Sequence, residues 1–336
     1  MREPAFWWRS PSWMSWLLAP LGFLYGAISG RRMLRKGRSA AVPVICVGNY
    51  SLGGAGKTPT VVALVKLLRT AGETPVVLSR GYGGQLAGPV RVDGEAHTAA
   101  DVGDEPLLLS RFAPVIVSRD RVAGVDAAQT VGASVIVMDD GFQNPSLQKH
   151  ISLIVVDSNR GLGNGGVFPS GPLRAPLAVQ LDRTDVLIVA GNGAAAGKLA
   201  DEVEARGGLV LTSRIVADGD VVASLRGKRV LAFAGIGAPQ RFFATLSANG
   251  IDVVATRTFD DHHPFTATEI DQLSEDARKG SLTLVTTEKD FVRLRGVATG
   301  AASVQPLPVT LAFDDEAALR HFVALRLVKA REQIGR

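Results

Sequence analysis

The sequence has 336 residues, of which 46% are hydrophobic and 21% are charged, a composition typical of a globular chain with a full buried core. The single cysteine, Cys46, excludes an internal disulfide, and no Cys and His cluster has the spacing of a structural zinc site. The net charge of +5 is local, because residues 1–40 hold seven basic residues and one acid while the remainder is near neutral. Nucleic-acid binding is therefore not expected.

The first predicted element is an uncharged apolar segment at 13–29, followed by the basic stretch 31–38. Every tryptophan lies at or before Trp16, and indole side chains favour the boundary between membrane and water. The segment is at the short limit for a spanning helix, and Pro20 weakens that possibility. We expect a membrane-associated helix, which either spans the bilayer or lies in its interface, with the basic stretch near anionic headgroups. A cleaved signal peptide and a soluble packed helix are the alternatives.

From residue 42 onward, short β-branched runs alternate with helical patterns, which predicts a mostly parallel, doubly wound α/β fold. Continuous apolar runs such as 151–156 indicate strands that are covered on both faces. Strands are predicted at 42–48, 75–79, 113–118, 134–138, 151–156, 185–189, 209–213, 229–234, 251–256, 283–287 and 307–312. Helices are predicted at 57–71, 120–131, 238–249, 267–278 and 315–331.

A stretch rich in glycine and alanine at 190–197 indicates a loop or a domain connection. We divide the chain into a membrane-associated N-terminal segment at 1–40, a P-loop core domain at 41–215 and a smaller C-terminal α/β lobe at 216–336.

The predicted strand 42–48 leads into the glycine-rich stretch GNYSLGGAGKT and then into a helical pattern, which is the context of a phosphate-binding loop. The glycines let successive backbone amides face phosphate oxygens, and the helix N-terminus adds positive potential there. Lys57 is expected to reach the β- and γ-phosphates of ATP, and Thr58 to bind Mg²⁺. Leu52 stands where MinD-like ATPases carry a lysine, which disfavours that class. The predicted ATP-binding residues are Ser51, Leu52, Gly53, Gly54, Ala55, Gly56, Lys57 and Thr58.

Two acids, Asp139 and Asp140, follow the predicted strand 134–138. An acid at the carboxyl end of a buried strand is typical of the Mg²⁺-binding carboxylate of P-loop enzymes. The sequence leaves open which of the two binds the metal, and a solvated turn is the alternative. Asp104 opens a helical pattern, and its residue type there favours helix capping over catalysis.

The segment 260–264 reads DDHHP, and adjacent histidines on one turn rarely reach the same metal. A general base with an orienting partner is the better interpretation for a kinase. Arg80, in the glycine-rich stretch 79–84, suits an anionic substrate, although a plain turn is equally compatible. The lysine in 287–290, TEKD, comes one position too late for a guanine-binding motif, so GTP is not inferred.

These motifs, taken in order, resemble the tetraacyldisaccharide 4'-kinase family. The matching elements are the apolar N-terminal helix and the motifs at 48–59, 79–82, 103–106, 139–143, 163–164, 169–174, 233–237, 261–262 and 287–290. The resemblance implies a P-loop NTPase-like enzyme that uses ATP and Mg²⁺. It further implies phosphorylation of the 4'-hydroxyl group of a tetraacylated disaccharide 1-phosphate, which gives lipid IVA and ADP.

The resemblance also implies roles for individual residues. Asp104 is expected to accept the hydroxyl proton, paired with His262 rather than His263, and Lys57 completes the catalytic set. The expected contacts with the lipid headgroup are Arg80, Tyr82, Arg121 and Gln143.

The implied location is the cytoplasmic face of the inner membrane of a Gram-negative bacterium. The implied partners are the acylated lipid and the membrane surface, with no nucleic acid and no obligate protein partner. Two rival interpretations are a membrane-tethered P-loop ATPase without a lipid acceptor and a non-catalytic nucleotide-binding adaptor.

Overall fold

The apolar runs of the sequence form the strands of two sheets, in a computed structural model that describes residues 3–54, 56–295, 297 and 304–335. In chain order the strands are β1 Val44–Gly48, β2 Pro75–Ser79, β3 Val90–Arg91, β4 Val115–Val117, β5 Val135–Asp139, β6 Ile151–Asp157, β7 Val186–Ala190, β8 Leu209–Ala217, β9 Arg229–Ala234, β10 Asp252–Thr258, β11 Thr283–Thr287, β12 Val304–Leu307 and β13 Val309–Phe313. The helices are α1 Trp13–Met33, α2 Lys57–Thr70, α3 Ala99–Val102, α4 Asp104–Leu109, α5 Arg121–Thr130, α6 Leu177–Leu181, α7 Gly197–Ala205, α8 Gly219–Leu225, α9 Pro239–Ala248, α10 Ala267–Gly280, α11 Glu288–Arg293 and α12 Glu316–Ile334.

The larger sheet has the strand order β13-β8-β7-β6-β1-β5-β2-β4-β3. Neighbours from β8 to β4 pair in parallel, whereas β3 and β13 run antiparallel at the two edges. Strand β1, which leads into the glycine-rich loop, lies between β5 and β6 at the centre. The prediction of a mostly parallel α/β sheet is confirmed.

Both faces of the larger sheet are covered, as the continuous apolar strands predicted. Strand β1 shows why every position is apolar, because its alternate side chains enter different layers. Ile45 and Val47 pack in the layer that contains α2 and α12, whereas Val44 and Cys46 pack in the layer that contains α5 and α7.

The smaller lobe contains a parallel sheet with the order β10-β9-β11-β12. Helices α8 and α9 contribute to the core on one face of this sheet, and α10 contributes to the core on the other.

The last segment of the chain returns to the larger sheet. Strand β13 pairs antiparallel with β8, and Leu319, Val323 and Leu327 of α12 are buried in the core with α2. Their spacing of four residues places them on one face of the helix, which packs on the larger domain. Residues 309–334 therefore pack with the larger sheet. Our division of the chain from its sequence placed all of 216–336 in the smaller lobe.

Helix α1 packs against the rest of the protein through one of its own faces, which consists of small residues. Gly22, Gly26 and Gly30 are buried, and a Cβ atom built on Gly22 would lie 2.7 Å from the carbonyl oxygen of Val167. In the part of the chain that the structure describes, no helix combines the length and apolar character needed to cross a membrane. The opposite face of α1 leaves large apolar side chains exposed, namely Trp13, Trp16, Leu17, Leu21, Phe23, Leu24 and Ile28.

Candidate active site

The candidate active site lies at the carboxyl ends of β1 and β5, where α4 of the core meets α11 of the smaller lobe. Parallel strands present their carboxyl ends at one edge of the sheet, and ligands of open α/β folds bind there. The glycine-rich loop, the acids after β5 and the motif at 103–106 all converge on this edge.

The loop between β1 and α2 has the backbone that a phosphate-binding loop requires. Gly53 and Gly56 have φ angles of 102° and 89°, in the left-handed region that favours glycine. The side-chain amide of Asn49 donates to the carbonyl oxygen of Gly53 at 3.0 Å. Lys57 is buried at the start of α2, and its Nζ lies 3.6 Å from Oδ2 of Asp140. Lys57 therefore faces the acids at the end of β5.

The outer part of the loop is anchored at one end and open at the other. Arg174 donates from Nε to the carbonyl oxygen of Ser51 at 3.0 Å, and the Leu52 amide donates to the carbonyl oxygen of Pro172 at 2.8 Å. Gly54 is exposed, and a Cβ atom added to it would meet no described atom within 4 Å. Ala55, which was also predicted to bind ATP, lies outside the described residues.

The two acids at the end of β5, namely Asp139, its last residue, and Asp140, which follows it, have different surroundings. Asp140 accepts two hydrogen bonds from the guanidinium group of Arg174, at 3.1 and 3.3 Å, which form a bidentate ion pair. Asp140 also contacts Lys57. Burial alone would raise the pKa of Asp140, but the charges of Lys57 and Arg174 outweigh it and lower that pKa.

Among the described residues, no cation is hydrogen-bonded to the carboxylate of Asp139. Its Oδ2 accepts from Ser79 Oγ at 3.4 Å, while its buried Oδ1 has no hydrogen-bond partner among the described residues. Burial raises the pKa of Asp139 to about 7, and the negative charges of Glu105 and Asp140 act in the same direction. The charges of Lys57 and Lys289 lower the pKa of Asp139 but do not cancel this rise.

The residues at this edge fit a Mg²⁺ ion. The Thr58 hydroxyl donates to Oε1 of Glu105 at 3.0 Å, and the buried Oδ1 of Asp139, which has no hydrogen-bond partner among the described residues, can bind a cation. No group of three or more His, Cys, Asp or Glu side chains in the described ranges could hold a metal ion by itself. P-loop enzymes bind Mg²⁺ with a hydroxyl, one or two carboxylates, waters and phosphate oxygens, so a closed protein cage is not required.

Asp104 and His262 form a hydrogen-bonded pair across the cleft. His262 Nδ1 lies 3.0 Å from Oδ2 of Asp104, and Arg293 Nε donates to the same oxygen at 2.8 Å. The side chain of Asp104 is 4% exposed and that of His262 is 33% exposed. His262 has a φ angle of 59°, a left-handed conformation that is uncommon for a residue with a side chain. The smaller lobe thus holds the imidazole over a buried carboxylate.

The pKa values of the two residues are shifted in opposite directions. Burial alone would raise the pKa of Asp104, but the hydrogen bond with His262 and the charge of Arg293 hold it far below its ordinary value. The hydrogen bond to Asp104 raises the pKa of His262 above its ordinary value. At neutral pH, Asp104 is therefore ionised and His262 is the member that can exchange a proton.

The four predicted lipid contacts occupy different environments. Tyr82 is 71% exposed, with its ring centroid 5.5 Å from that of His262, and Arg80 is exposed nearby in sequence. Arg121 is buried and donates to the carbonyl oxygen of Asp139 at 3.3 Å, while its Nη1 has no partner among the described residues. The Gln143 amide is engaged within the protein, where it donates to the Asn49 carbonyl at 2.7 Å and to Gln180 at 2.9 Å.

Comparisons with known proteins identify the family of the chain. The family model described as tetraacyldisaccharide-1-P 4'-kinase, LpxK, matches residues 14–328. The chain belongs to this family. Among its relatives are tetraacyldisaccharide 4'-kinases of Nitrobacter winogradskyi, with 62% identity over 98% of this chain and 99% of the relative, and of Bradyrhizobium diazoefficiens, with 60% identity over 99% and 98%. A crystal structure of LpxK from Aquifex aeolicus in complex with ATP matches with a TM-score of 0.73 and 26% identity, over 94% of this chain and 99% of that one.

Four charged residues at the centre of the site were not among the predicted site residues. Three of them lie in motifs that the sequence did single out, so the motif was visible although the role was not. Nothing in the sequence around Arg293 indicated a role in the site, because only the fold brings this residue to Asp104. The four residues are Glu105, Arg174, Lys289 and Arg293.

Proposed function

We propose that the chain transfers the γ-phosphate of ATP to the 4'-hydroxyl group of a tetraacyldisaccharide 1-phosphate, with lipid IVA and ADP as products. Its family makes the chain a lipid kinase that uses ATP in lipid A biosynthesis. The observation that carries the reaction is the pair Asp104–His262, which lies next to the nucleotide loop because Glu105, the neighbour of Asp104, accepts from Thr58. A kinase needs a positioned hydroxyl acceptor as well as a nucleotide site, and this pair supplies a group to receive its proton.

The nucleotide is assigned to the loop from Ser51 to Thr58, including the undescribed Ala55. Backbone amides of the loop and the N-terminus of α2 attract the phosphates, and Lys57 adds a buried positive charge. Lys57 also contacts Asp140, which holds its ammonium group at the end of β5, where we assign the phosphates.

Thr58 and Asp139 are the residues that we assign to Mg²⁺, with Glu105 beside them. The metal supplies positive charge that neutralises the transferring phosphoryl group and orients it. Asp139 is the better candidate of the two acids, because Arg174 and Lys57 already neutralise Asp140. Asp140 instead orients Lys57 and links the loop to Arg174.

His262 is the residue that we assign as general base, with Asp104 as its orienting carboxylate. This reverses the order expected from the resemblance, in which Asp104 accepts the proton. A carboxylate with a strongly lowered pKa and several hydrogen-bond donors is a weak base, whereas an imidazole of raised pKa is a better one. The hydrogen bond at Nδ1 leaves Nε2 of His262 as the nitrogen that can face the 4'-hydroxyl group.

The acylated sugar is assigned to the open side of this pair. Tyr82 is exposed beside His262, and Arg80, the residue directly after β2, is exposed two positions earlier. Both side chains can therefore reach a bound headgroup. Arg121 keeps one guanidinium nitrogen free of described partners and can receive a phosphate or hydroxyl oxygen. Gln143 supports the site through Asn49, and a direct lipid contact from it requires exchange of its present partners.

The enzyme is assigned to the cytoplasmic face of the inner membrane, where α1 lies in the bilayer interface. A substrate with four acyl chains stays in the membrane, so the active site must be held at the surface. Helix α1 packs on the body through glycines and exposes tryptophan and leucine outward, which fits an interfacial helix better than a detached one. No obligate protein partner is included in the proposal.

A transfer assay with the purified chain in detergent micelles tests the proposal. γ-Labelled ATP and tetraacyldisaccharide 1-phosphate are the substrates, and Lys57→Met is compared with Lys198→Met, an exposed lysine on α7. Labelled lipid from the wild type and from Lys198→Met, and its loss in Lys57→Met, is the expected result. ATP consumption without labelled lipid would instead indicate a tethered ATPase.

A further inference from the structure

One oxygen of Glu105 joins the nucleotide loop to the smaller lobe. Thr58 Oγ1 donates to Oε1 of Glu105 at 3.0 Å, and the ammonium group of Lys289 donates to the same oxygen. Thr58 follows the phosphate-binding loop, whereas Lys289 lies 184 positions from Glu105, on α11 of the smaller lobe. The contact therefore depends on how the two parts of the chain lie against each other.

Helix α11 presents Lys289 from a fixed element. Thr287 caps this helix by accepting from the Asp290 amide at 3.1 Å. Arg293 lies four residues after Lys289, on the same face of the helix, and binds Asp104, the residue before Glu105. Two cations of α11 thus face two successive acids of α4.

Glu105 belongs to a group of acids at this edge of the sheet, and the ammonium group of Lys289 is bound to it. Glu105 accepts from Thr58, and the neighbouring Lys57 contacts Asp140, so Glu105 and the acids at the end of β5 lie at the same edge of the sheet. Clustered carboxylates repel one another, and a positive charge on one of them relieves that repulsion. Carboxylate and hydroxyl oxygens are also the ligands that Mg²⁺ prefers. The ammonium group of Lys289 therefore occupies an oxygen that a metal ion bound beside Thr58 would use.

We propose that Lys289 and a divalent cation compete for the same oxygen of Glu105, so that the cation must displace the lysine ammonium group to bind there. Lys289 is then a positioning residue that couples metal binding to the contact between α11 of the smaller lobe and α4. The coupling is reciprocal, since a cation that binds Glu105 weakens the lysine contact as much as the lysine weakens the cation. The inference rests on the proposed function only for the position of the metal site.

Binding of Mn²⁺, followed by electron paramagnetic resonance, tests this competition in the full-length protein in micelles without ATP or lipid. Lys289→Met removes the competing charge and should tighten Mn²⁺ binding by about tenfold. Lys289→Arg keeps the charge and should bind Mn²⁺ as weakly as the wild type. Lys279→Met is the matched control, because Lys279 is an exposed lysine of the same lobe that pairs with Glu275 away from the site.

Glu105→Gln, placed in the Lys289→Met background, should abolish the gain in Mn²⁺ affinity. Equal Mn²⁺ affinity in Lys289→Met and the wild type, with both proteins folded by thermal unfolding, would overturn the proposal. If Lys289→Met does not fold, Lys289→Gln gives the same comparison with a side chain that retains a hydrogen bond. Because neither ATP nor lipid is present, failure of the transfer assay and failure of this inference are separate results.

Discussion

His262 Nδ1 lies 3.0 Å from Oδ2 of Asp104, although the two residues are 158 positions apart and belong to different lobes. The pair exists only while the smaller lobe lies against α4, so its proton chemistry depends on the arrangement of the lobes. Arg293 binds the same carboxylate from α11 and adds a second contact between them. The general base is thus completed by the fold rather than by either lobe alone.

The pH dependence of kcat/KM should have an acidic limb set by His262. The imidazole must be neutral to accept a proton, and the hydrogen bond to Asp104 raises its pKa above the ordinary value of 6.5. Activity should therefore fall as the pH drops through this raised pKa, and the midpoint should lie above 6.5. The measurement is kcat/KM for the lipid substrate from about pH 5 to about pH 9, a range that extends below and above the ordinary pKa of an imidazole.

The Asp104→Asn variant is the comparison for this pH profile, since it keeps the shape of the side chain and removes its charge. The pKa of His262 should fall, the acidic limb should move to lower pH, and kcat should drop by about 100-fold because the base becomes weaker and less well oriented. An acidic limb at the same pH in both proteins would contradict the assignment of His262.

Asp139→Asn and Asp140→Asn should have different effects. Asp139→Asn removes the carboxylate assigned to the metal and should raise the Mg²⁺ concentration needed for half-maximal activity by about tenfold to 100-fold. The melting temperature should not fall, because a buried acid with a raised pKa is lost. Asp140→Asn breaks the pair with Arg174 and should lower the melting temperature. A larger Mg²⁺ effect in Asp140→Asn would reverse the assignment.

The exposed face of α1 should carry membrane binding. Trp16 and Phe23 are 72% and 80% exposed, and burial of such side chains in a bilayer contributes about 1.5–3 kcal/mol each. The double variant Trp16→Ser/Phe23→Ser should reduce partitioning into vesicles by about 100-fold or more, with an unchanged melting temperature. Leu325→Ser/Val328→Ser on α12 is the control, because these apolar residues are also exposed. Equal partitioning of both double variants would refute the assignment of α1.

The glycine face of α1 should hold the helix on the protein body. A methyl group on Gly22 would lie 2.7 Å from the backbone oxygen of Val167, so Gly22→Ala forces the helix or the loop beneath it to move. We expect a loss of about 1–3 kcal/mol in the free energy of unfolding, measured by denaturant titration. Gly197→Ala, where added atoms meet nothing within 4 Å, should be neutral. An equal effect of the two substitutions would show that α1 is not packed as described.

Local patterns predicted the parts of the site that are local in sequence. The phosphate-binding loop and the acids after β5 each combine an apolar strand with a following polar segment, so their position at the sheet edge follows from strand direction. The strand alternation likewise predicted the parallel sheet. These features depend on short stretches whose chemistry is visible without the fold.

The contacts between distant residues could not be predicted in this way. The pairs Lys289–Glu105 and Arg293–Asp104 arise because α11 lies against α4, and nothing in either stretch specifies the other. Our assignment of Asp139 rather than Asp140 to Mg²⁺ also rests on the fold, since it depends on Arg174, which approaches Asp140 from a separate loop. The return of α12 to the larger sheet depends on the antiparallel pairing of β13 with β8, which is equally non-local.

The most direct test of the central claim uses two lipid acceptors that differ at one position. Tetraacyldisaccharide 1-phosphate and its 4'-deoxy analogue are each incubated with the enzyme, γ-labelled ATP and Mg²⁺ in the same micelles. The account predicts labelled lipid from the first acceptor and none from the second. Equal labelling of the two would contradict transfer to the 4'-hydroxyl group, and ATP hydrolysis without labelling of either would contradict the lipid kinase itself.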